Sequence, residues 1–167
     1  MRIFLIGFMG SGKTTIGKQL ASKLNCRFVD IDHQIEEKFN LTIAEIFEKF
    51  GEQHFRETEH EMINMMKEVE NAVISTGGGS PCFLNNMELM NQSGVTIYLK
   101  TNPKALVNRI KGTQNIRPSI KGRTDSQLLE YVKVILKERE PFYLKSKIII
   151  NSINLKVQDI VNILASK

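Results

Sequence analysis

An apolar segment, Arg2-Ile3-Phe4-Leu5-Ile6, runs directly into Gly7-Phe8-Met9-Gly10-Ser11-Gly12-Lys13-Thr14. This is G-x-x-x-x-G-K-T between a predicted strand and an amphipathic helix, the context in which that motif cradles a phosphate chain. The glycines let the backbone curl until several N–H groups point inward, and the helix start adds the positive end of its dipole. Gly10, Ser11, Gly12, Lys13, Thr14 and Thr15 are therefore the expected nucleotide-phosphate site. Lys13 would reach the outer phosphates, and the Thr14 hydroxyl would ligate Mg²⁺. A glycine-rich turn capped by an ordinary helix lysine is the plainer alternative, but the fixed positions seldom arise by chance and the strand before and helix after make that rarer still.

Beyond that turn the chain alternates strand and helix. Ile16, Leu20, Ala21 and Leu24 make a helical stripe over Lys13 to Leu24, and Arg27 to Asp32 reads as a second strand ending in carboxylates. Strand side chains alternate, so Asp30 and Asp32 are expected on one side and Val29 and Ile31 on the other. One acid could hold Mg²⁺ through water and the other could take a proton from a substrate hydroxyl. Helix capping by Asp32 ahead of His33-Gln34-Ile35 stands beside that reading with equal weight.

Thr42-Ile43-Ala44-Glu45 is a capping box, and Ile43, Ile46, Phe47 and Phe50 follow at helical spacing until Gly51 interrupts. A further helical stretch carries Phe55, Met62 and Met66 on one face and Arg56, Glu59 and His60 on another. Arg56 is either an anion ligand or half of a surface ion pair with Glu59 or Glu61. Ala72 to Ser75 is a third strand, followed at once by Thr76-Gly77-Gly78-Gly79-Ser80-Pro81. Three glycines at a strand's carboxyl end permit close approach of a ligand to the backbone.

Leu84 to Gln92 reads as helix and Val95 to Leu99 as a fourth strand, and Asn102-Pro103 opens a helix to about Ile110. The polar stretch from about 111 to 124, with Lys111, Arg117, Lys121 and Arg123, is a candidate lid over the phosphates. A second capping box at Thr124 to Gln127 starts a helix through Arg139 that Pro141 is expected to end. Lys147 to Asn151 is a fifth strand, and Val157, Ile160, Val161 and Leu164 mark a last helix. Five strands alternating with helices call for a parallel sheet covered on both faces in one domain, 1–167.

Composition narrows the partners. Twenty-three basic against 18 acidic residues give a net charge of +5, yet the basic residues form no run. Arginines converging on small anions account for the balance, and neither nucleic acid nor membrane is expected as a partner. Cys26 and Cys82 match no metal or redox spacing, which suits a reducing, cytoplasmic setting. The three histidines fit no zinc spacing and receive no chemistry.

Taken together these marks resemble the shikimate kinase family over nearly the whole chain. The resemblance rests on Gly7 to Thr14, Asp30-x-Asp32, Phe55-Arg56-x-x-Glu59, Gly77-Gly78-Gly79, Arg117-Pro118 and Arg139-x-x-x-Tyr143. It implies a nucleoside monophosphate kinase-like P-loop fold, an α/β sheet of five parallel strands in the order 2-3-1-4-5 with a mobile lid. It also implies a monomer that transfers the ATP γ-phosphoryl group to the 3-hydroxyl of shikimate, with Mg²⁺. Asp32 would orient that hydroxyl and accept its proton, with Lys13 and Arg117 beside the moving phosphate. Arg56 and Arg139 would clamp the carboxylate, with Phe55, Gly77, Gly78 and Gly79 completing the substrate site and 31–61 forming its wall. Asp30 would hold Mg²⁺ through water beside Thr14, and Arg109 would pack against adenine. The rivals are a kinase for another small alcohol such as gluconate, a GTP-dependent switch and a turnover-free binding module. The switch is disfavoured because the chain has no Asn-Lys-x-Asp.

Overall fold

The computed structural model describes residues 1–112 and 120–166. Five parallel strands form one sheet: β1 (Arg2–Ile6), β2 (Arg27–Asp30), β3 (Ala72–Ser75), β4 (Val95–Lys100) and β5 (Ile148–Asn151). Their order is β2-β3-β1-β4-β5, as the sequence resemblance implies. Each crossover carries at least one helix: α1 (Lys13–Lys23), α2 (Ile31–Phe39), α3 (Ile43–Met65), α4 (Asn86–Ser93), α5 (Pro103–Lys111) and α6 (Asp125–Tyr143). α7 (Val157–Ala165) follows β5.

Strand alternation divides the core in two. Ile3 and Leu5 of β1, Val73 of β3, and Ile97 and Leu99 of β4 face α1 and α7, where Leu20, Ala21 and Ile160 meet them. Phe4, Ile6, Ile74 and Tyr98 face the opposite way, against Met62 and Ile63 of α3, Met87 and Met90 of α4, Leu106 of α5 and Val132 of α6. Both sides of the inner strands are thus buried, which is why those strands read as continuous apolar runs. The methionines at 62 and 66 lie in this core, 8% and 5% exposed. No helix among the described residues is long and apolar enough to cross a membrane.

Two sequence expectations are corrected. β2 stops at Asp30 instead of running to Asp32, and Ile31 and Asp32 already belong to α2. Asp30 is the cap: its backbone is extended and its Oδ1 accepts from the His33 N–H at 3.5 Å. The alternation of Val29, Asp30, Ile31 and Asp32 imitates a strand because Ile31 is buried from the first turn of a helix just as it would be from a strand. The two acids therefore do not share one face of a strand; Asp32 sits in the first turn of α2, where its charge suits the helix dipole. Nor does Pro141 end α6, which continues to Tyr143 with Leu144 N–H bonded to Glu140 C=O at 2.9 Å. Near a helix end the ring's missing N–H removes only one bond of the ladder.

The capping signals are realised at Thr42–Glu45, Asn102 and Thr124–Gln127. Gly51 breaks α3 as its sequence pattern suggests, with φ 82° and ψ 166°. That region is essentially confined to glycine. Beyond the break Phe55, Glu59 and Met62 are buried, and Arg56 lies against Gly79 just past the end of β3. A Cβ at residue 51 would touch nothing within 4 Å. Gly51→Ala is therefore expected to destabilise the fold through backbone strain alone, by about 1–3 kcal/mol. Urea unfolding should show a lowered midpoint with an unchanged slope, and an equal or higher midpoint would mean the break is not what the fold requires.

Candidate active site

The carboxyl ends of β1, β2 and β3 lie side by side, with Leu5 and Asp30 both in register with Ser75. Three segments leaving those ends build the site. From β1 comes the Gly7–Thr14 loop, in which Gly12 caps α1 with a left-handed backbone. Lys13, 9% exposed, bends over its own loop and donates to Gly7 C=O at 2.7 Å and Phe8 C=O at 3.0 Å. Thr14 and Thr15 are exposed in the first turn of α1. From β2 comes Asp30, whose Oδ2 accepts from the Thr14 hydroxyl at 2.8 Å.

The third segment is the glycine turn after β3. A Cβ built on Gly79 would lie 2.6 Å from Arg56 Nη1, and one on Gly77 would collide with Glu59 and sit 2.9 Å from Asp32 Oδ1. These residues are glycine because Arg56, Glu59 and Asp32 already occupy the space. On its other side Gly78 approaches the P-loop, its Cβ position being 3.2 Å from the Met9 amide nitrogen. The turn thus touches the phosphate loop, α2 and α3 at once.

Arg56 is not a surface residue. Its side chain is 12% exposed, its Nη1 is 2.6 Å from Glu59 Oε2 and its Nη2 is 3.1 Å from Glu52 Oε1. Its guanidinium carbon stands 4.1 Å over the Phe83 ring and 5.3 Å from the buried Phe55 ring, so Phe55 supports it from behind. Arg139, half-buried on α6, lies 5.6 Å from the Phe8 ring of the P-loop. Both guanidinium groups act on Cys82, whose thiol burial pushes up to about 11 while Arg139 and Arg56 pull it down. Two arginines 83 residues apart in sequence thus stand near one thiol, Arg56 against Gly79 and Arg139 beside the P-loop's Phe8.

Arg109, exposed on α5, donates to Ser11 C=O at 3.2 Å and to Ser152 C=O at 3.4 Å. It joins the P-loop to the segment after β5. Arg117 and the rest of the lid's 113–119 lie outside the described residues.

The sequence offers Glu59 as a surface ion-pair partner of Arg56; the structure makes the pair but buries it. Glu59 is 1% exposed, bonded to Arg56 and to the Ser80 hydroxyl, and it neighbours Asp32. Its place three residues after Arg56 was the only local signal; the Ser80 contact is tertiary. Burial raises its carboxyl above the ordinary 4.5, against the lowering pull of Arg56 and Ser80. Phe83 and Tyr143 also gained positions that no periodicity foretold, the latter donating from its hydroxyl to Gly78 C=O at 2.5 Å.

A family model described as shikimate kinase matches residues 9–166. The chain belongs to the shikimate kinase family. Shikimate kinase from Bacteroides thetaiotaomicron is 46% identical over 156 residues, 93% of this chain and 89% of that protein. A crystal structure of shikimate kinase from the same organism superposes with TM-score 0.95, at 43% identity, over 99% of this chain and 98% of its own. The structure of shikimate kinase from Acinetobacter baumannii in complex with shikimate gives TM-score 0.87 at 34% identity, covering 99% and 93%. Deoxyadenosine kinase from M. mycoides shares the fold, with TM-score 0.60 at 20% identity over 99% of this chain and 98% of its own.

The raised Glu59 carboxyl has a consequence for stability. A carboxyl whose folded value exceeds its unfolded value supports the fold fully below the unfolded value, and that support is lost as pH rises through the folded one. Glu59→Gln should therefore gain on the parent in urea midpoint as pH rises from about 4.5 towards neutrality. If the difference instead moves in the parent's favour with rising pH, the Arg56 ion pair outweighs burial.

Proposed function

We propose that the protein transfers the γ-phosphoryl group of ATP to the 3-hydroxyl of shikimate. The observation that carries this reading is the convergence of Arg56 and Arg139 beside the glycine turn, next to a phosphate-binding loop. Two guanidinium groups offer planar forks for one carboxylate, which is the anionic group of the substrate. With the carboxylate held there, ring hydroxyls meet the backbone at Gly77, Gly78 and Gly79. Asp32, which stands against Gly77 beside Glu59, accepts the proton of the attacking hydroxyl.

On the nucleotide side, the amides of Gly10, Ser11, Gly12 and Thr15 with Lys13 hold the phosphates, and Arg109 borders the base. Thr14 and Asp30 offer two hard oxygens in mutual contact, a donor set that suits a cation retaining most of its water. Among the described residues no cluster of three or more His, Cys, Asp or Glu exists to enclose a metal. Thr14 would bind Mg²⁺ directly and Asp30 through water. When bound, Mg²⁺ neutralises charge on the outer phosphate oxygens. Lys13 leaves its two carbonyl partners for the phosphates, so the nucleotide takes over bonds the loop makes with itself. Chemistry of this kind depends mostly on positioning and charge, so each binding group is expected to affect KM more than kcat. The unbridged cysteines suit a cytoplasmic protein.

A coupled assay with ATP, Mg²⁺ and either shikimate or gluconate tests the reading. Product from shikimate is expected; product from gluconate and none from shikimate would replace it with another small-alcohol kinase. Arg56→Ala should raise the shikimate KM about tenfold to a hundredfold, for the loss of charged hydrogen bonds, with the ATP KM unchanged. Asp32→Asn should lower kcat by about a hundredfold or more while calorimetry finds ATP binding intact. A variant that turns over like the parent would remove Asp32 from the proton transfer.

A further inference from the structure

The Gly77–Ser80 turn has to present its amides to the pocket, yet glycines impose no conformation of their own. Something else must orient these peptides. Two side chains reach the turn from the core and take hold of its carbonyls. Tyr143, at the end of α6, is fully buried and donates its hydroxyl proton to Gly78 C=O at 2.5 Å. Asn86, fully buried at the start of α4, donates from Nδ2 to Ser80 C=O at 2.9 Å.

The first of these bonds fixes what faces the ligand. No peptide bond among the described residues is cis, so Gly78 C=O and the Gly79 N–H point in opposite directions across one rigid plane. Holding the carbonyl toward Tyr143 turns the Gly79 N–H away from Tyr143, and Arg56 stands against the same glycine. Within the described residues neither the Gly78 nor the Gly79 N–H donates to another group. Burial raises the Tyr143 phenol well above its ordinary range, against a lowering pull from Arg139, so the hydroxyl keeps the proton it donates. Its ring is held in turn by Tyr98, 5.1 Å away between centroids.

The second bond has its own support. Because Asn86 spends its Nδ2 on Ser80, its Oδ1 faces His60 Nδ1 at 2.7 Å, and that ring nitrogen must carry the proton. A half-buried histidine on α3 thereby locks the amide that locks the turn.

We propose that Tyr143 is a positioning residue that sets the Gly78–Gly79 peptide so that its N–H meets the substrate, while Asn86, backed by His60, holds the neighbouring Ser80 carbonyl so that the turn keeps that setting. This inference rests on the shikimate-binding reading of the glycine turn. Tyr143→Phe deletes one oxygen and keeps the ring. Its shikimate KM is expected to rise about tenfold, the loss of one buried hydrogen bond, with the ATP KM within about twofold of the parent and kcat changed less than the shikimate KM. A shikimate KM equal to the parent's, or both KM values and kcat shifting together, would overturn the inference. If that variant does not fold, His60→Leu and His60→Asn decide. Asn can place its amide donor where Nδ1 stood, so a raised shikimate KM in Leu that Asn restores supports the inference, and equal values overturn it. A parent inactive toward shikimate would overturn the functional reading and this inference with it. An active parent whose variants keep the parental shikimate KM overturns the inference alone.

Discussion

The buried ion pair of Arg56 and Glu59 is the constraint around which the site is arranged. A carboxylate at 1% exposure beside a guanidinium at 12% has given up its water, and such a pair is tolerated only when its remaining hydrogen-bonding positions are filled. Ser80 fills one position on Glu59 and Glu52 fills one side of the Arg56 fork. Removing one partner of a pair withdrawn this far costs about 3–5 kcal/mol, because the other charge is left stranded. What the pair gives in return is aim. Arg56 is held at the edge of the sheet, with Phe83 and Phe55 fixing the plane of its fork.

The glycine turn follows from the pair. With Arg56 packed against Gly79, and Glu59 and Asp32 against Gly77, neither residue can carry a Cβ without displacing them. The same turn leans on the P-loop through Gly78 and Met9, so the substrate half and the nucleotide half of the pocket share a wall. A single rigid wall is an economical way to hold two reactants at a fixed separation, which is where catalysis by positioning gains most. Tyr143 ties that wall to α6, the helix that also delivers Arg139.

Much of this was legible in the residues. The P-loop, the five apolar runs and the caps at Thr42, Asn102 and Thr124 are local signals, each spanning a few neighbours, and the structure realises them. Asp30 and Asp32 show where local reading fails: a buried isoleucine between two acids fits a strand edge and a first helical turn equally well, and only the His33 N–H decides. Pro141 misleads for a similar reason, since its cost depends on how near the helix end it lies. Glu59 was legible as a partner of Arg56 from its spacing, but not as a buried group. Its burial depends on Ser80, 21 residues away, and on the sheet that brings them together.

The central claim is that Arg56, Arg139, Asp32 and the glycine turn face one ligand beside the phosphate loop. A crystal structure of this protein with shikimate and a non-hydrolysable ATP analogue tests it most directly. Shikimate is expected with its carboxylate between Arg56 and Arg139, its ring against Gly78 and Gly79, and its 3-hydroxyl between Asp32 and the terminal phosphate. Shikimate bound elsewhere, with Arg56 and Arg139 contacting none of it, would contradict the claim.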